Sequence, residues 1–299
     1  MRQLLSVLFN ITCLYSFSQN YPIGHKQYNF YDASRNRTIQ TEIYYPAVTA
    51  GDNQPFAAGE FPLLVFGHGF VMSWDAYANF WNLLVPKGYI IAFPRTEGSI
   101  SPNHGAFGED LRFLNDYILN LNTDYGSEFY QKLSGTSAIM GHSMGGGSSF
   151  LAASNNNNLT ALVNFAAAET NPSAIAAAAN VNVPSLIFYG VNDGVAPPAN
   201  HQIPIYENLA SSCKNLVGIV GGGHCYFANY NFNCSFGEST QNPSPTITRE
   251  QQQEIVAQIL VPYLDFVLKG DTQAEQLYYY RLNTMNEIVF DRSCTMQHD

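Results

Sequence analysis

One serine, one aspartate and one histidine stand where they could share a reaction. Ser143 lies in "GHSMGGG" (141–147), directly after the apolar run Ala138-Ile139-Met140. Gly141 and Gly145 flank it, and a Gly-x-Ser-x-Gly turn between a strand and a helix leaves its serine exposed at a sharp elbow. A serine hydroxyl is a weak nucleophile unless a base removes its proton and an acid orients that base. Both partners occur further along: Asp193 follows "PSLIFYG" in "VNDGVAPP", and His224 follows "NLVGIVGGG" in "GGGHCYF". Fifty residues separate Ser143 from Asp193 and thirty-one separate Asp193 from His224, enough for helix and strand in each gap. The reaction such a set supports is acyl transfer, with Ser143 as nucleophile, His224 as base and Asp193 as orienting acid. Each residue also has a plain reading, as turn serine, turn aspartate before Gly194, or solvated loop histidine. Their joint placement, each after an apolar run, favours the chemical reading over three coincidences. Acyl transfer further needs N–H donors for the oxyanion. Met144, at a helix start, and Phe70, in the loop "FGHGF" (66–70), are the candidates.

Such residues must be held by regular elements. Apolar, β-branched-rich runs alternate with helix-like segments, which predicts an α/β fold with a mostly parallel central sheet flanked by helices. The expected strands are 62–69, 89–95, "SAIM" before the elbow, 161–168, 184–190 and 215–223. Two earlier runs, "KQYNFYD" and "RTIQTEIYYPA", read as an antiparallel N-terminal hairpin. Helices are expected over 74–88, ending at Gly88; over 104–120, where Phe107, Leu111, Leu114 and Ile118 share a face; and from a Thr248 cap to Gly270. The alanine-rich 174–180 reads as a connecting segment, and 271–299 carries no clear pattern.

Composition narrows the setting. Of 299 residues 46% are hydrophobic and 12% charged, so one large domain over 19–299 can bury its own core. The formal charge of −10 repels phosphate backbones and anionic headgroups, which argues against nucleic acid or a membrane surface as partner. Residues 1–18 read as a signal peptide: Arg2, then an uncharged apolar run too short to span a bilayer, then Ser16 and Ser18 at the −3 and −1 positions of a cleavage site. A secreted or periplasmic monomer without stable membrane insertion is expected. Four cysteines then remain, Cys213, Cys225, Cys234 and Cys294, and an even number in an exported chain suits disulfides. Of three connectivities, the one joining the nearby Cys225 and Cys234 is favoured, with Cys213 and Cys294 paired or free. No metal is expected, since there is no CxxC pair.

These residues resemble a known family, the secreted α/β-hydrolases of the cutinase, polyester hydrolase and dienelactone hydrolase-like group. The likeness runs from about Phe61 to Ala228 and includes "GHGF", "GYIIAFPRT", "GHSMGGG", "LIFYGVNDGVAPPANHQIPIYENL" and "GGGHCYFAN". It implies the α/β-hydrolase fold, Ser143, His224 and Asp193 as the triad, and Phe70 and Met144 as oxyanion donors. One departure bears on substrate. Bacterial polyester hydrolases usually carry a tryptophan shortly after the strand that here reads "ALVNF", where this chain has Glu169, Thr170 and Asn171. A carboxylate there would disfavour an apolar polymer, so efficient polyester depolymerisation is not expected. Phe70, Trp74 and Tyr226 are candidates for an apolar acyl pocket, Glu169 for a further substrate contact, and Trp81 for core packing.

The expected function is cleavage of carboxylic esters through an acyl-enzyme, without metal or organic cofactor. The competing readings are a serine peptidase, an acetylhydrolase acting on phospholipid or sugar esters, and a non-catalytic binding protein on the same scaffold.

Overall fold

The computed structural model describes residues 20–294, so the signal-peptide reading of 1–18 lies outside the described residues. Among the described residues ten strands form one sheet: β1 Ile23–Asp32, β2 Arg37–Pro46, β3 Gly51–Asp52, β4 Phe61–Gly67, β5 Ile90–Pro94, β6 Leu133–His142, β7 Ala161–Phe165, β8 Ser185–Gly190, β9 Cys213–Ile219 and β10 Ile288–Cys294. Their spatial order is β10-β9-β8-β7-β6-β4-β5-β2-β1-β3. The strands from β5 through β4, β6, β7 and β8 to β9 are mutually parallel. The expected hairpin forms: β1 and β2 pair antiparallel from Ile23↔Pro46 to Asp32↔Arg37, and β2 joins the sheet antiparallel to β5.

Among the described residues eight α-helices accompany the sheet: α1 Ala78–Leu84, α2 His104–Asn120, α3 Met144–Ala153, α4 Ala174–Ala178, α5 Gln202–Asn208, α6 Phe232–Ser239, α7 Arg249–Lys269 and α8 Thr272–Thr284. They cover both faces, which is why the central strands are apolar on both sides. Along β4 the side chains alternate. Leu64 and Phe66 pack with α1, α7 and α8, while Leu63 and Val65 pack with α2, α3, α4 and α5. Each fully buried leucine, isoleucine or phenylalanine contributes about 1.5–3 kcal/mol relative to exposure, so two such layers hold the strand ends in fixed relation. This is the α/β-hydrolase arrangement.

Helix ends follow local chemistry. The Asn103 side chain accepts from Ala106 N at 2.9 Å to start α2. Thr248 and Gln251 form a reciprocal capping box at α7, and Gly270 closes it in the left-handed region at φ 68°.

Two expectations need correction, and two segments without an assignment form elements. The helix over 74–88 is split into a 3₁₀ turn (Trp74–Tyr77), α1 and a second 3₁₀ turn (Val85–Lys87) before Gly88. The connecting segment contains α4, capped by Ser173 accepting from Ala176 N. Residues 232–239, given no element from the sequence, form α6. The unassigned tail supplies α8 and β10, the latter antiparallel to β9 with Cys294 opposite Cys213. In β10 only Ile288 is buried, so no apolar alternation marks it as a strand. Both cysteine pairs close as disulfides, Cys213–Cys294 and Cys225–Cys234.

Candidate active site

β6 ends at His142, α3 begins at Met144, and Ser143 between them holds φ 55°, ψ −119°. A side chain there costs of order 1–3 kcal/mol and persists only where the surroundings over-determine it. They do: Ser143 N donates to Phe165 O at 3.0 Å, and Ser143 O accepts from Gly147 N and Ala168 N, both at 2.9 Å. The flanking glycines have no room to spare. A Cβ on Gly141 would stand 2.3 Å from Gly145 O, and one on Gly145 would stand 2.2 Å from Gly67 O. These approaches press the turn against the loop after β4 and leave Ser143 partly exposed among buried neighbours.

Asp193 leaves the end of β8 and His224 the end of β9, both almost fully buried. His224 Nδ1 lies 2.7 Å from Asp193 Oδ2. Asp193 Oδ1 accepts from Val195 N at 2.9 Å and Ala196 N at 2.7 Å. A carboxylate held by two amides accepts only, so the imidazole carries its proton on Nδ1 and leaves Nε2 free to take another. The His224 ring centroid is 4.9 Å from that of His142, the residue before Ser143, which sets the imidazole beside the elbow.

The loop bearing His224 is braced from α7. Gln252, fully buried, accepts from Gly223 N and donates to Gly223 O, each at 2.9 Å. Cys225 N donates to Glu238 Oε1 at 3.0 Å, and the Cys225–Cys234 disulfide ties the loop to α6. Sequence reasoning missed Gln252. Its one signal is a polar residue in line with Ile255 and Ile259 on the buried stripe of α7.

The loop after β4 lies against the start of α3, since Gly67 pairs with Gly141 and a Gly145 Cβ would also meet His68 O at 2.5 Å. Among the described residues neither Phe70 N–H nor Met144 N–H is taken by an acceptor. Met144 N–H also opens a helix, where the backbone favours negative charge.

The candidate substrate contacts are placed unevenly. Phe70 is half exposed. The Trp74 ring lies under the Arg95 guanidinium, 4.2 Å from its centroid, and lines a cavity of about 210 Å³ with His68, Met72 and Arg95. Tyr226 faces Arg249 at 4.6 Å and lines a separate cavity of about 600 Å³ with Tyr230, Glu238 and Thr248. Glu169 has backbone and side-chain partners. Its Oε2 accepts from Ile175 N at 2.9 Å in the first turn of α4, and its own N–H donates to His201 Nδ1 at 2.9 Å. One carboxylate oxygen is thus engaged by the backbone of α4, and the residue stays partly exposed. Trp81 packs as expected, stacked on Tyr44 at 4.0 Å and edge-on to Phe93.

A family model described as "PETase: PET hydrolase-like" matches residues 37–239, more than half of the chain. The matched span contains the elbow, both loops bearing Asp193 and His224, and the whole of α6.

Proposed function

The chain belongs to the PET hydrolase-like family, hydrolases acting on esters, and from that membership we propose that it cleaves carboxylic esters by a serine mechanism through an acyl-enzyme. The observation that carries this reading is the buried 2.7 Å bond from His224 Nδ1 to Asp193 beside a serine held at φ 55°. Ser143 Oγ attacks the ester carbonyl while His224 Nε2 takes its proton, and Asp193 stabilises the imidazolium. Phe70 N–H and Met144 N–H receive the oxyanion. Collapse of the tetrahedral intermediate breaks the bond to the alcohol oxygen, which leaves with the proton from His224. Water, deprotonated by the same nitrogen, then attacks the acyl-enzyme and frees the acid and Ser143.

Exposed aromatics near the His224 loop support a substrate class. Phe70 is exposed on the loop after β4, and Tyr230, Phe232 and Phe236 are exposed on and just before α6. The disulfide ties α6 to the His224 loop, and Asn233 Nδ2 donates to Val71 O at 3.2 Å, joining it to the residue after Phe70. An aromatic rim suits esters with an apolar or aromatic portion. The two disulfides fit an oxidising compartment and hence export.

A fluorophosphonate probe tests the mechanism. The wild type should carry one adduct, on Ser143, and Ser143→Ala should carry none while losing about 10⁴-fold or more in kcat on a p-nitrophenyl ester. Near-normal turnover by Ser143→Ala would overturn the reading.

A further inference from the structure

Two buried side chains outside the triad join the candidate oxyanion loop to the segments that carry Ser143 and His224. Gly69 N donates to Tyr77 Oη at 2.7 Å. Tyr77 Oη lies 3.0 Å from His142 Nδ1, and His142 Nε2 lies 3.0 Å from His224 O. Gly69 precedes the candidate oxyanion donor Phe70, His142 precedes Ser143, and the last acceptor belongs to His224 itself. The chain of bonds thus touches the loops after β4, β6 and β9 at, or one residue before, each reacting group.

For a neutral imidazole one arrangement of protons satisfies it, with Met72 Sδ, 3.4 Å from Tyr77 Oη, the weaker alternative acceptor. The His224 carbonyl can only accept, so His142 carries its proton on Nε2. Nδ1 is then an acceptor and must be met by the Tyr77 O–H. With its proton so used, Tyr77 Oη is left to accept from Gly69 N–H. Burial keeps this pattern in place: it pushes the His142 imidazolium well out of favour and holds the Tyr77 proton on its oxygen.

Packing holds the pair as well. Both side chains are fully buried; the Tyr77 ring lies 4.7 Å from that of Phe66, and the His142 ring 6.3 Å from that of Phe227. The space is closed at Gly69, where a Cβ would meet Met72 Sδ at 2.9 Å and His142 Nδ1 at 3.1 Å.

We propose that Tyr77 and His142 are positioning residues for ester cleavage, setting the oxyanion loop, the elbow and the His224 backbone relative to one another through the Gly69–Tyr77–His142–His224 bonds. The inference rests on the serine mechanism proposed above. Neither residue touches the reacting atoms. They act by fixing distances between loops that lie far apart in sequence, and a misplacement of about 1 Å in such a site can cost on the order of 10²-fold.

The test pairs turnover with labelling. Tyr77→Phe keeps the ring and removes the link. It should lower kcat on a p-nitrophenyl ester by about 10- to 100-fold with KM changed less than about threefold, and should slow fluorophosphonate labelling of Ser143 by a similar factor. His142→Asn, whose amide ends near the position of Nδ1, should behave likewise. His142→Gln, whose amide reaches the position of Nε2 and can still donate to His224 O, should recover part of the loss. A purely structural role predicts a lower melting temperature with wild-type kcat and labelling rate below it, and that result would overturn the proposal. So would equal activity of the Asn and Gln variants, which decides the matter alone if Tyr77→Phe does not fold. Absence of any Ser143 adduct on the wild type refutes the serine mechanism itself, and this inference with it.

Discussion

Ser143 is held at φ 55° with a side chain that contributes no cap to α3, so replacing it with glycine should stabilise the protein while abolishing turnover. Strain at such a position is worth about 1–3 kcal/mol. Glycine returns about 0.4–1 kcal/mol of that through the greater freedom of the unfolded chain. The three backbone bonds at Ser143 N and O are untouched by either substitution. Ser143→Ala keeps the Cβ and the strain and removes only the hydroxyl, so the comparison between the two variants isolates the backbone term. Ser143→Gly is expected to exceed Ser143→Ala by about 1 kcal/mol, with about 2.6 kcal/mol as the ceiling. With about 2.1 cal/mol/K of unfolding entropy per residue, each kcal/mol moves the melting temperature of a chain this long by a little under about 2 °C, so a separation of about 2 °C should be seen by scanning calorimetry, with a matching shift in the urea midpoint. Both variants should be inactive on a p-nitrophenyl ester. A glycine variant no more stable than the alanine variant would refute the reasoning, because it would mean that the elbow stores no strain.

Two other perturbations probe the frame around the site. Converting Cys213 and Cys294 together to serine opens a loop of 81 residues of sequence separation; chain entropy puts the loss near 4–5 kcal/mol. Turnover below the melting transition should survive, because Cys213 begins the strand whose far end leads to His224, and an unchanged urea midpoint would contradict this. Lowering pH should also destabilise the fold, since burial depresses the pKa of His142 and of His201, whose Nδ1 atoms accept from Tyr77 and from Glu169 N. Their stabilisation is complete above the ordinary histidine pKa near 6.5 and is lost as pH falls toward the depressed values, His142 alone contributing up to about 1.4 kcal/mol per pH unit. Urea midpoints that stay level from pH 7.5 to 5 would refute this.

The residues that could be read in order along the chain were those whose neighbours already declare them. β4, β7 and β8 are short apolar runs ended by turns, α2 shows its buried face at helical spacing, and α7 carries Thr248 and Gly270 at its ends. Ser143, Asp193 and His224 could be picked out because each follows such a run, and a parallel sheet brings the loops after its strands to one edge. Where an element's exposure is irregular, no pattern announces it. The aromatics of α6 face outward, and β10 is an edge strand with one buried residue, secured by pairing with β9 and a disulfide.

Composition and spacing therefore determined the fold class, the hairpin and the three candidate side chains, because hydrophobic periodicity and turn chemistry act over a few residues and are written locally. Tertiary structure alone decided who meets whom: Glu169 with Ile175 N, Trp74 with Arg95, Gln252 with Gly223, and Tyr77 with His142. Those partners lie as little as six and as much as sixty-five residues apart. A hydrogen bond depends on distances of about 3 Å, which are set by how layers pack and not by any pattern along the chain.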